Sequence, residues 1–274
     1  GGNDQEVAMI KVCDVLAALF DAAPEYMKME WDNVGLLCGR RTAAVRRVMV
    51  ALDPMPDVFA EAKARGCELI VTHHPLIFQP VRAVNDTSFT GENLLWLIEN
   101  GIAAINLHTN LDCAPGGVND ILARTLGLSD ISVLDPMGQD AQGRDYGLIR
   151  VGTVAPCALR DFAAHVKAAL SCPGVRFADG GKTVHKVAVG GGSCGSELEA
   201  VLAAGCDTFV TADLKYNHFE EAKYRGLNLI DAGHFETENP VCTHLADILR
   251  AAFPELEVYI SRTHRDETQF LTNG

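Results

Sequence analysis

One stretch of this chain recurs at a fixed distance, and that recurrence narrows the possible folds more than any other feature. Laid without gaps, residues 48–74 fall on residues 187–213 at an offset of 139 (187 − 48). Identities occur at Val48/Val187, Val50/Val189, Ala64/Ala203, Gly66/Gly205, Cys67/Cys206, Val71/Val210 and Thr72/Thr211. Both copies read as strand, helix, Gly-Cys, strand, Val-Thr. A unit of that kind cannot bury its apolar faces alone, so a repeat implies two related α/β halves, each completed by its own neighbours. His73 and His74 follow the second strand of the first copy, and Ala212 and Asp213 take those places in the second.

The rest of the chain carries the same alternation. Residues 47–53 read as a strand, 56–65 as a helix closed by Gly66, and 67–72 as the strand leading to the histidines. A helix over 91–100, closed by Gly101, and a strand over 102–107 extend this to β-α-β-α-β, the pattern of a largely parallel sheet. Apolar spacing predicts an opening helix over 7–20, stopped at Asp21-Ala22-Ala23-Pro24, and a polar-aromatic loop at 30–34 entering a strand. Beyond it come helices at 118–126 and 159–170 and strands near 131–134, 147–154 and 174–177. A helix at 215–225 capped by Gly226, a strand at 227–230, a helix at 239–253 and a strand at 256–260 finish the chain. The fold class is therefore α/β: two related α/β domains arising from an internal duplication. The first is expected to span 1–127 plus 236–274, completed by the C-terminal segment, and the second 128–235.

Composition excludes some functions. The 274 residues carry 23 basic and 36 acidic side chains, a net charge of −13. That balance argues against nucleic-acid or anionic-membrane partners, which need a basic face. No apolar run approaches the roughly 18–20 residues needed to cross a bilayer. A basic segment followed by an apolar core, the mark of a secretory signal, is also missing, which points to the cytoplasm. The nine cysteines are scattered and contain no Cys-x-x-Cys pair, as expected of buried thiols in a reducing compartment. The opening Gly1-Gly2-Asn3 reads as an expression remnant.

Open α/β sheets place ligands beyond the carboxyl ends of their strands, and His73, His74, His108, Asp112, His234 and Glu238 all follow strands in that sense. Neutral imidazole is the commonest metal ligand. Consecutive residues of a strand point to opposite faces, so His73 and His74 can share a site only where the chain leaves the strand, as Pro75 allows. His234 and Glu238 are four apart at an expected helix start and can face one ion. With His73, His74 and Asp112 they supply more donors than one tetrahedral ion with an open position accepts. Two divalent ions sharing a carboxylate fit better, and such pairs, about 3.5–4 Å apart, activate water at neutral pH and clamp the attacked group. That predicts hydrolysis.

Five separated motifs, Glu30-Trp31-Asp32-Asn33-Val34-Gly35-Leu36, Val71-Thr72-His73-His74-Pro75-Leu76-Ile77-Phe78, Asn106-Leu107-His108-Thr109-Asn110-Leu111-Asp112, Asp213-Leu214-Lys215-Tyr216 and Gly233-His234-Phe235-Glu236-Thr237-Glu238, resemble the Nif-three-like dinuclear metal-centre family. Its members are also called GTP cyclohydrolase 1 type 2 homologues, and the resemblance runs from about residue 7 to residue 260. It implies a two-domain protomer built by duplication, assembled as a hexameric ring, with a dinuclear metal site between the domains. Carried over by motif, the ligands are His73, His74, Asp112, His234 and Glu238, with Glu238 as the bridge and His108 nearby as acid or base. The implied cofactors are two divalent ions; nitrogen and oxygen ligation suits zinc, iron or manganese. The implied substrate is GTP or a related nucleotide, attacked by metal-activated water at the imidazole carbon of guanine with loss of formate. The chain's length resembles members without the extra domain that some relatives insert between the halves. One departure stands out: the family usually has histidine directly after Lys-Tyr, where this chain has Asn217 followed by His218. About 100° of helix rotation separates the two positions, so His218 is not expected to replace it.

Two other hydrolytic or metal-binding readings share these residues: a dinuclear phosphoesterase, separable by phosphate rather than formate release, and a non-enzymatic metal-binding or regulatory ring. Residues 190–195 also match the G-x-G-x-x-G fingerprint of dinucleotide binding, with Asp213 18 positions past its last glycine (213 − 195). A phosphate-cradling or merely tight glycine turn is preferred there. His165, His185, His218, His244 and His264 are read as solvated or satisfied locally, Trp31 as loop packing that borders the site, and Trp96 as helix-face core.

Overall fold

The computed structural model describes residues 8–273. The elements in chain order are α1 (Val12–Ala22), β1 (Gly35–Cys38), β2 (Arg47–Ala51), α2 (Pro56–Ala64), β3 (Leu69–Thr72), α3 (Phe89–Glu99), β4 (Ala103–Asn106), α4 (Thr109–Cys113), α5 (Val118–Thr125), β5 (Ser129–Leu134), β6 (Gly138–Gln139), β7 (Asp145–Tyr146), β8 (Ile149–Cys157), α6 (Leu159–Ala169), β9 (Arg176–Ala178), β10 (Val184–Val189), α7 (Leu198–Ala203), β11 (Thr208–Thr211), α8 (Tyr216–Arg225), β12 (Asn228–Asp231), α9 (His234–Glu238), α10 (Val241–Ala252) and β13 (Glu257–Ile260). This is a mixed α/β fold. No helix among the described residues is long and apolar enough to cross a membrane.

The chain separates into two compact units. Among the described residues the first comprises residues 8–108 together with Cys242–His264, and the second Thr109–Val241 with residues 265–273. The divisions therefore lie near residues 108 and 241, away from the 127 and 235 expected from sequence. The reason is packing: Leu122, Ala123 and Leu126, in and just after α5, share one apolar cluster with Val187, Val189 and Val210 of the second sheet. The C-terminal tail likewise belongs to the second unit, where the Phe270 ring packs over Gly174.

The first sheet has the order β1-β4-β3-β2-β13, and the second β5-β8-β10-β11-β12-β9. In the first, β13, β2, β3 and β4 are parallel and β1 is antiparallel at the edge. In the second, β10, β11 and β12 are parallel and β9 is antiparallel at the edge. The central strands are apolar on both faces, as a parallel sheet covered by helices requires. Val187 and Val189 face one cluster and Ala188 the other, the period of two that a strand imposes.

The repeated segments keep the same pairing register. Val48 lies opposite Leu69 and Val187 opposite Thr208, so both partners are shifted by 139. One strand further, Thr72 pairs with Asn106 and Thr211 with Asp231. A five-residue helix begins three residues after each of those partners, α4 at Thr109 and α9 at His234.

Two boundaries differ from the sequence reading. Helix α1 starts at Val12, because Lys11 bridges to Ala44 and the Val12 and Cys13 amides donate to Ala43 and Arg41. Val7, placed in that helix from its spacing, and Gly1-Gly2-Asn3 lie outside the described residues. The helix expected over 239–253 is preceded by α9, separated from it by Asn239-Pro240, since proline removes a helical donor. None of the nine cysteines is in a disulfide.

Candidate metal centre

At the end of β3 the amides of both His73 and His74 donate to the Leu52 carbonyl, and Thr72 Oγ1 donates to the His74 carbonyl at 2.7 Å. This departure from strand geometry brings the two rings to the same side, with centroids 5.0 Å apart. His108, two residues beyond β4, adds a third imidazole at 5.3 Å from His73 and 5.7 Å from His74. Each ring offers a nitrogen within 4.8 Å of the others, a group able to hold a cation. His73 is fully buried.

Hydrogen bonds set the tautomers. His73 Nδ1 donates to the Leu107 carbonyl at 2.8 Å, which leaves Nε2 of the neutral ring with its lone pair. His74 Nδ1 donates to Asp53 Oδ1 at 2.5 Å, and His108 Nδ1 to Asp32 Oδ1 at 2.8 Å. In the second unit His234 Nδ1 donates to Asp213 Oδ2 at 2.7 Å. All four imidazoles therefore have Nδ1 held by a carbonyl or carboxylate, the outer-shell arrangement typical of metal-ligating histidine. The donor chemistry thus fits divalent cations.

Helix α9 carries His234 and Glu238 on one face, with His234 Nε2 and Glu238 Oε2 3.0 Å apart. Asp112, on α4, offers a carboxylate oxygen within 4.8 Å of one from Glu238. Both carboxylates are buried. Burial lowers the His234 pKa, but hydrogen bonds to Asp213 and Glu238 outweigh it and raise the group to about 10. A cation taking Nε2 would displace a proton there. Asp213 holds its position with a left-handed backbone, φ 52°, unusual for a residue with a side chain and typical of constrained functional positions.

The glycine turn at 190–195 makes room for this pair. Gly192 has φ +68°, and a Cβ there would lie 2.4 Å from Glu238 Oε1 and 3.0 Å from His234 Nε2. The Gly190 amide donates to the Val210 carbonyl, Gly191 to Asn119 Oδ1 at 2.7 Å, Gly192 to Thr237 Oγ1 at 2.9 Å and Cys194 to Thr211 Oγ1 at 3.1 Å. These four amides are spent on acceptors within the protein, as in a tightly packed glycine turn. Asn119, fully buried, also donates to the carbonyls of Asp112 and Leu148, tying α4 to the same turn.

Several residues were passed over in the sequence. Asp32, Asp53 and Asp213 orient imidazoles; the first and last stand in quoted motifs but were given no role, and Asp53, just past β2, carries no distinctive signal. His264, read as solvated or locally satisfied, is buried, donating through Nε2 to Asp53 Oδ2 at 2.8 Å and pairing through Nδ1 with Asp57. Burial raises the Asp53 carboxyl, but the hydrogen bonds from His264 and then His74 hold it well below the usual range. Trp31 is also more than loop packing, being 63% exposed beside His108. Trp96 does stack on Phe59, and His165 and His185 bond locally to the Leu126 and Val154 carbonyls. Asn217 is exposed on α8, while His218 Nδ1 accepts from the Lys215 amide and its ring covers Gly195. A pocket of about 350 Å³ in the second unit, bounded by Arg176, His234, Phe235, Glu236, Asp266 and Phe270, is acidic. Burial and then the neighbouring Asp266 raise Glu236 to about 7.

The chain as a whole is similar to known proteins. A "GTP cyclohydrolase 1 type 2 homolog" of Streptomyces coelicolor is 38% identical over 94% of this chain and 93% of its own. One from Clostridium perfringens is 31% identical over 96% of this chain and its full length. The crystal structure of a Staphylococcus aureus hypothetical protein superposes with a TM-score of 0.88 at 31% identity, covering 96% of this chain and all of that one. The model of the Duf34/NIF3 (NGG1p interacting factor 3) family matches residues 10–267, and the chain belongs to that family.

Proposed function

We propose that the protein is a dinuclear metal-dependent hydrolase of the GTP cyclohydrolase 1 type 2 kind, acting on a nucleotide-type substrate. In this reading His73, His74, Asp112, His234 and Glu238 would hold two divalent cations, with Glu238 as the carboxylate they share. The observation that carries it is the pattern shared by four imidazoles, each with Nδ1 held by a carbonyl or carboxylate acceptor. Cations bound there would supply positive charge to hold the attacked group and to lower the pKa of a water molecule to near neutrality.

The chain's own residues supply the rest. His108 is oriented by the buried Asp32 through Nδ1, so any proton it exchanges with substrate passes through Nε2, as required of a positioned acid or base. Asp53, held by His264, fixes the His74 ring, and Asp213 fixes His234. The matched registers of the two sheets, and the matched helices α4 and α9, support an origin by internal duplication. That origin accounts for ligands at the same strand ends of both halves. A hexameric, cytoplasmic assembly belongs to the same proposal.

The test is metal analysis of the purified protein, followed by incubation with GTP while formate and phosphate are both measured. Formate release that a chelator abolishes is the expected result. Phosphate without formate would replace this reading with a phosphoesterase, and bound metal without turnover of any nucleotide would replace it with a metal-binding or regulatory role.

A further inference from the structure

The first unit displays an aromatic surface that the hydrolytic scheme leaves unused. Trp31 and Phe78 are 63% and 55% exposed, with ring centroids 5.9 Å apart and an edge-on angle of 64°. Trp31 also stands edge-on to His108, at 6.2 Å and 74°. The backbone around these rings is tied down. Asp32 Oδ1 accepts from the Asn33 amide as well as from His108, Asn33 Nδ2 donates to the Ile77 carbonyl, and Asn106 Nδ2 donates to the Asn33 carbonyl. The carboxylate that orients His108 thus belongs to the residue next to Trp31 and also holds the amide of Asn33. The chain's other tryptophan, Trp96, is packed against Phe59 in the core and shows no such exposure.

We propose that Trp31 and Phe78 form a stacking platform for the planar heterocycle of the substrate, placing it beside the histidine trio. Rings held in place before the ligand arrives lose little freedom on binding. They gain from a broad planar π-face and from displacing water, whereas phosphate has no such face and a furanose only a small, puckered one. Continuity with His108 selects a small ligand over an unrelated partner surface, since whatever covers Trp31 also meets the imidazole at its edge. This deepens the proposed function, because it takes the histidine trio as part of the reacting centre. It assigns the ring-bearing end of the substrate to the first unit.

The experiment uses the protein as purified with its metal, carrying Trp96→Phe so that Trp31 is the single tryptophan. Guanosine is expected to quench its emission saturably, and ribose 5-phosphate to leave it unchanged. By calorimetry, Trp31→Ala and Phe78→Ala should each raise the guanosine Kd roughly tenfold, about 1.4 kcal/mol. Trp31→Phe should restore most of the affinity. An unchanged Kd in Trp31→Ala, no saturable guanosine binding, or shielding of Trp31 from acrylamide in the free protein, as when a second copy covers it, would each overturn the platform. The outcomes separate from those of the hydrolase test. Guanosine binding without formate release removes the reaction and keeps the platform, while formate release with unaltered KM in Trp31→Ala does the reverse.

Discussion

Gly192→Ala places a methyl group against the candidate metal centre, and its effect can be worked from two distances and a control. The residue has φ +68°, where a Cβ costs about 1–2 kcal/mol in backbone strain. The added Cβ would also lie 2.4 Å from Glu238 Oε1 and 3.0 Å from His234 Nε2. Glu238 is buried, so its carboxylate can yield only by moving off His234 and out of its position for coordination. Gly205 supplies the control: its φ is +74°, and nothing lies within 4 Å of its Cβ position. Gly205→Ala therefore isolates the backbone term, expected to lower Tm by roughly 2–8 °C at about 2–4 °C per kcal/mol for a chain of this size. Gly192→Ala should show at least that loss, together with metal binding weakened roughly 10- to 100-fold, the usual effect of disturbing the support of a ligand. Thermal unfolding and chelator competition on both variants read the two terms separately. Equal metal affinity in Gly192→Ala and Gly205→Ala would refute the assignment of Glu238 and His234 to the site.

The remaining expectations concern the residues around that centre. His74→Ala and Glu238→Ala should each lose metal, by elemental analysis, together with any hydrolysis; a variant that keeps both leaves the ligand set. Asn119→Ala strands the Gly191 amide in the interior and should lower stability by about 1–3 kcal/mol in urea unfolding, with metal affinity falling as Asp112 loosens. For His264, burial lowers the pKa, but hydrogen bonds to Asp53 and then Asp57 raise it above its ordinary 6.5. Its contribution to stability is thus complete below about pH 6.5 and is lost as pH rises through the folded value. Unfolding of His264→Gln across pH 5–9 should show a flatter profile than the parent, and an identical profile would exclude the His264–Asp53 pair as its source.

Local chemistry decided a good deal of this protein in advance. Apolar runs of strand length, glycines at helix ends and an ungapped repeat marked the two α/β halves, because period and turn chemistry are properties of neighbouring residues. The same holds for the candidate site residues: His73, His74, His108 and Asp112 follow strands, and His234 and Glu238 are spaced one helical turn apart, so their availability follows from local geometry. What local chemistry could not supply was the partner of each ring. Asp32 is 76 positions from His108, Asp53 lies 21 before His74 and His264 lies 211 beyond Asp53, and only the folding of distant segments makes them neighbours. The glycine turn was ambiguous for the same reason, since whether its amides face solvent or Asn119, Thr237 and Thr211 depends on side chains that arrive from elsewhere. Tertiary packing also drew the unit boundaries, because α5 joins whichever sheet its apolar face covers, a choice that no pattern within the helix itself encodes.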